Sequence, residues 1–135
     1  MRKGRYTFKL KKEMTTDELF AVMQDHWHAR RFNKPRKGML WKDDYEEFII
    51  LPATWQHVII IYTNKKKVIM NSAWPKTNIA EQLAETIKPS SEFYPILKAS
   101  KGLPAGRDRM GPMKDALQRY AAEMARMLGD CDLAE

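Results

Sequence analysis

Cysteine is all but missing from this sequence: Cys131 is the single one in 135 residues. A lone cysteine makes no internal disulfide, so stability has to come from packing, and the chain suits a reducing compartment. Long apolar runs are missing too. The longest, Phe48 to Ala53 and Val58 to Tyr62, fall far short of the ~20 residues that cross a bilayer. The opening "MRKGRYTFKLKKEM" is basic but leads into no apolar segment. It therefore does not read as a secretory signal, and a cytoplasmic protein is expected. There is no internal repeat and no low-complexity tract.

Signatures of known chemistry are equally scarce. Neither G-x-S-x-G nor a cysteine-centred nucleophile motif occurs. No phosphate-binding or dinucleotide fingerprint is present, and no RNP, KH or helix-turn-helix pattern. One stretch lacks acidic residues altogether. From Ala29 to Lys42 there are six positive charges, Arg30, Arg31, Lys34, Arg36, Lys37 and Lys42, and no Asp or Glu.

What is present is enough for one ordinary domain, residues 1–135, with hydrophobic residues at 44% to build a core. The net charge of +7 is unevenly spread. Residues 1–42 hold 12 Lys and Arg against 4 Asp and Glu, a net of +8. Residues 43–97 hold 5 against 7, a net of −2, and residues 98–135 hold 7 against 6, a net of +1. The basic excess sits in the first third, which suits an anionic partner.

Periodicity then supplies the elements. "RYTFKLK" alternates Tyr6, Phe8 and Leu10 with Thr7, Lys9 and Lys11, a half-buried strand. "TTDEL" offers a capping box from Thr15 to Glu18, opening a helix that runs to about Ala29 with Leu19, Phe20, Val22, Met23 and Trp27 in one arc. Strands are expected over 39–42, 46–51, 57–63 and 67–72, with turns at Asp43-Asp44, Pro52-Ala53 and Asn64-Lys65. The third of these strands is apolar on both faces, so both faces need cover. "NIAEQLAETIKP" reads as a short helix capped by Asn78, with Ile79, Leu83 and Ile87 as its stripe. Residues 89–111 hold three prolines and read as irregular. "GPMKDALQRYAAEMARMLG" reads as a long helix with Pro112 in its first turn and Gly129 at its C-cap. Its methionine-rich arc reads as core, and the helix is a candidate to cover the second face of the sheet. Should that face stay bare, it would suit a homodimer. The tail "GDCDLAE" is expected to fray.

The fold expected is α+β: an antiparallel sheet of about four to five strands with three helices packed on it, in the order β-α-β-β-β-β-α-α. This order resembles small helix-on-sheet folds of the TATA-binding-protein-like or helix-grip kind. The likeness is one of architecture, and architecture alone carries no function.

Several constellations remain. His26 and His28 would share a face on a strand, but on a helix they lie about 200° apart and cannot share an ion. With His57 and Cys131 remote in sequence, no metal site is expected. On the helical wheel His26 falls beside Leu19 and Met23, a core-edge position. Asp43, Asp44, Glu46 and Glu47 read as a solvated acidic cluster beside a turn. Gly102, Gly106 and Gly111, with Lys101, Arg107 and Arg109 among them, precede a helix but read as a charged linker rather than a phosphate loop.

The leading reading is a small non-enzymatic binding protein with a basic surface for an anionic partner. Its surface would be Lys9, Lys11, Arg30, Arg31, Lys34, Arg36, Lys37 and Lys42, with Phe32 and Trp41 interleaved. Nucleic acid is the first candidate and an acidic protein the second, because lysine and arginine neutralise phosphates and aromatic rings stack on bases. The alternatives are a pocket-type small-molecule binder or enzyme between sheet and helices, lined by His26, Trp27, Trp55 and His57, and a structural interaction module. No cofactor is implied.

Overall fold

The computed structural model describes residues 5–27, 48–75, 78–101 and 111–135. The expected strand 39–42, the Asp43-Asp44 turn, the neighbouring acidic cluster and the whole basic stretch 29–42 lie outside these residues.

Four strands form the sheet: β1 (Arg5–Lys9), β2 (Ile49–Pro52), β3 (Val58–Asn64) and β4 (Lys67–Ala73). Their spatial order is β1-β4-β3-β2, and every neighbouring pair is antiparallel. The doubly apolar β3 is therefore interior, as its pattern requires. Ile59 and Ile61 face one way with Ile49, Leu51, Val68 and Met70, in the larger core. Val58 and Ile60 face the other way with Ile50 and Ala73, in a smaller cluster.

Every helix gives residues to the larger core. In α1 (Thr16–His26) the capping box is closed: the Glu18 N–H donates to Thr15 Oγ1 at 3.1 Å and the Thr15 N–H donates to Glu18 Oε1 at 3.0 Å. Leu19 and Met23, four apart and so on one helical face, are fully buried. The helix ends earlier than expected, because Trp27 is already extended. Three further helices follow the sheet: α2 (Ile79–Ala84), α3 (Tyr94–Ser100) and α4 (Pro112–Asp130). The eight buried residues of α4, including Met113, Met124 and Met127, lie on the expected arc.

Several expectations need correction. First, α3 occupies part of the segment read as irregular. Pro95 stands in its first turn, where a missing N–H breaks no helical bond. Second, α4 shares the larger core with α1 and does not cover the second sheet face. A stripe of eight buried residues needs an apolar face as wide as the sheet. On the second face Ala80 and Leu83 of α2 close the end that holds Val58, Ile60, Ile50 and Ala73.

Third, Gly129 lies inside α4. The left-handed residue beyond the helix is Asp132, with φ of 57°, a conformation that aspartate tolerates better than most side chains. Fourth, the tail does not fray. The Lys11 N–H donates to the Leu133 carbonyl and the Glu135 N–H to the Lys9 carbonyl, both at 3.0 Å, and Leu10 bridges Ala134. These bonds satisfy backbone groups at the edge of β1. At α2, finally, the Asn78 side chain makes no cap bond, and its Oδ1 accepts instead from Gln82 Nε2.

Candidate functional site

β3 and β4 are joined by a two-residue loop, Lys65-Lys66, closed by the facing pair Asn64 and Lys67. Lys65 has φ of 57°, the left-handed region that glycine or asparagine enters more cheaply. The segment after β1 holds this tip in place. The Leu10 N–H donates to the Lys66 carbonyl at 2.8 Å and the Met14 N–H to the Lys65 carbonyl at 3.2 Å.

Because β1 pairs with β4, Lys9 stands opposite Lys67. Like charges directly opposite on a sheet repel. Lys9, Lys65, Lys66 and Lys67 are all exposed, and among the described residues none forms an ion pair. Together with Asn64, Glu13 and Glu135 they line a cleft of about 570 Å³. The four ammonium groups outnumber the two carboxylates, so the cleft favours anions.

A second cleft of about 430 Å³ adjoins it at Asn64, which lines both. Its other walls are Thr15, Thr16 and Asp17 at the start of α1, with Phe48, Tyr62 and Thr63. The Thr63 N–H donates to Thr16 Oγ1 at 3.1 Å, joining helix to strand. The ring of Phe48 meets that of Tyr62 edge to face, with centroids 5.5 Å apart. Tyr62 is half-buried.

Of the expected basic surface, Lys9 lies in the first cleft. Lys11 is ion-paired with Asp132, whose pKa falls below the usual aspartate value because the Lys11 ammonium donates a hydrogen bond to it. Arg30, Arg31, Lys34, Arg36, Lys37 and Lys42 lie outside the described residues, as do Phe32 and Trp41. The lysines of the hairpin tip escaped the sequence reading, in which 64–65 is only a turn. The signal was there in three consecutive lysines. Their meeting with Lys9 depends on a strand pairing that no local pattern encodes.

The four residues of the expected pocket fall in two places. His26 is exposed, not at the core edge, and its backbone carbonyl accepts from Arg126 Nη2 at 2.7 Å. Trp27 is half-buried and stacks on Tyr120, with centroids 6.2 Å apart. His57 and Trp55 belong to the β2–β3 turn. Thr54 Oγ1 accepts from the backbone N–H of His57 at 2.9 Å and of Gln56 at 3.1 Å. Thr54 Oγ1 also lies 3.1 Å from His57 Nδ1, a hydrogen bond in which either atom can be the donor. This bonding explains the burial of His57 as part of a turn.

Trp55 carries Lys101 Nζ at 5.2 Å from its ring centroid, and its buried Nε1 has no hydrogen-bond partner among the described residues. None of the four lines either cleft described above. Trp74 is exposed.

Among the described residues no three His, Cys, Asp or Glu side chains gather as metal ligands. No helix among them is long and apolar enough to cross a membrane. Of the glycine-containing segment, residues 102–110 lie outside the description, and Gly111 serves as the N-cap of α4. Comparison with known proteins gives no match to a family model, to a curated protein or to a solved structure.

Proposed function

We propose that this is a small binding protein that holds an anionic partner, nucleic acid, on a lysine surface at the β3–β4 hairpin. The observation that carries the reading is Lys9 standing opposite Lys67 beside Lys65 and Lys66, with none of the four in an ion pair among the described residues. A folded chain gains nothing internally from four ammonium groups at one strained tip that no described carboxylate pairs. A polyanion does gain from them, because each phosphate neutralised releases a condensed counterion.

Fluorescence anisotropy with labelled single- and double-stranded oligonucleotides, titrated with salt, tests this. Affinity is expected to fall log-linearly with salt, by a slope of about −0.7 to −0.9 per phosphate contacted. Removing Lys65, Lys66 and Lys67 together is expected to shallow that slope. No binding at low salt, or a slope indifferent to these lysines, ends the proposal.

A further inference from the structure

The second face of the sheet is divided. At one end Val58, Ile60, Ile50 and Ala73 are covered by α2. At the other, the strand register sets out two parallel rows. One row runs Thr7, Ile69, Tyr62 across β1, β4 and β3, and continues to Phe48 through its ring contact with Tyr62. The next row, two residues further along each strand and so ~7 Å away, runs Lys9, Lys67, Asn64. Thr7, Lys9, Lys67 and Asn64 are exposed, while Arg5, opposite Asn71, is half-buried at the far side. In the first row Ile69 and Phe48 are buried and Tyr62 is half-buried, so one partly open tyrosine ring lies beside a cationic row.

We infer that the partner is single-stranded nucleic acid, lying across this face with a base against Tyr62 and its phosphates on Lys9 and Lys67. The inference rests on the nucleic-acid reading above and adds strandedness and orientation to it. Tyr62 lines the second cleft, and its edge-to-face contact with Phe48 restrains the ring, so little side-chain freedom is lost on stacking. A base inside a duplex has both faces covered by its neighbours, and only a single strand can offer one to a tyrosine ring. Stacking is indifferent to base identity, because every base has a π face. The surface therefore suits binding with little sequence preference.

The test compares a labelled 15-nucleotide oligo-dT, the matching oligo-U and a 15-base-pair duplex. Both single strands are expected to bind more tightly than the duplex. Tyr62→Leu is expected to weaken single-strand binding tenfold or more, while Tyr62→Phe, which keeps the ring, stays within about twofold. Lys67→Thr is expected to shallow the salt slope for all three probes. A second measurement needs no variant: photocrosslinking of 5-iodouracil oligonucleotides to the wild-type chain should label Tyr62. Equal binding of duplex and single strand with no crosslink at Tyr62 overturns this inference and leaves the lysine surface standing. Binding of a poly-glutamate peptide in place of every oligonucleotide overturns both.

Discussion

Lys9 and Lys67 stand directly opposite one another across the β1–β4 pair, and two residues from Lys67 the hairpin turns through Lys65 in a left-handed conformation. Both features oppose folding. Like charges repel across the strands, and a branched-off Cβ crowds its own backbone at positive φ. If the tip exists to bind anions, relieving either feature should raise stability and lower affinity together. Lys67→Thr is expected to stabilise by about 0.3 kcal/mol, and Lys65→Gly or Lys65→Asn by roughly 0.5–1 kcal/mol. Urea unfolding and oligonucleotide anisotropy on the same variants check both signs. Variants that are more stable and bind as wild type would separate the tip from binding.

The buried Tyr120 hydroxyl donates to the Pro52 carbonyl at 2.7 Å, tying α4 to the end of β2. Its ring stacks on Phe93 with centroids 4.4 Å apart. Tyr120→Phe keeps that stack and strands a buried acceptor, for an expected loss of about 1–2 kcal/mol. Denaturant titration should show a lower midpoint with an unchanged slope.

Arg126 reaches out of α4 in three directions: to Glu123, to Asp130 and to the His26 carbonyl at the end of α1. Hydrogen bonding to Glu123 raises its pKa further above an already high value, so the charge persists at every accessible pH. Arg126→Lys keeps the charge but loses the fork that serves all three partners. Hydrogen exchange at the Trp27 amide, which donates to the Met23 carbonyl at 3.0 Å, is expected to accelerate while the global melting temperature moves little. Unchanged protection at Trp27 would remove Arg126 from that role.

Two carboxylates make stability pH-dependent. The pKa of Asp132 is lowered by the hydrogen bond from Lys11, and that of Glu18 by the bond from the Thr15 backbone N–H. A carboxylate whose folded pKa lies below its unfolded one adds stability that is complete above the unfolded value. That stability is lost as pH falls through the folded value. The stability gap between wild type and Asp132→Asn should therefore be full at pH 7 and close progressively below about pH 4. Thermal melts across that range measure it, and a gap independent of pH contradicts it.

Much of the fold was legible in sequence because it is local. The Thr15–Glu18 box, the alternation of Tyr6 and Phe8 with Thr7 and Lys9, and the α4 stripe each sit within a few turns or pleats of backbone. The prolines of 89–111 conceal α3, because Pro95 is harmless in a first turn and the sequence does not state where that turn begins. The exposure of His26 is not legible from a helical wheel, because a wheel position tells which side a residue faces, not whether the end of the helix is still covered. Of the candidate site, Lys9 was legible as a charge on the wet side of a strand. The hairpin lysines were visible as residues but not as its neighbours.

The sequence by itself determined which face of each element is apolar, that β3 must be covered on both sides, and that positive charge prevails. Only the tertiary structure decided which elements meet. Periodicity records how a segment divides between oil and water, and any apolar face can satisfy it. The choice of partner depends on the whole packing. β1 returns to pair with β4, α4 joins α1 on the wide face, and α2 closes one end of the other. By that choice Lys9 stands beside Lys67 and Tyr62 borders an open cleft.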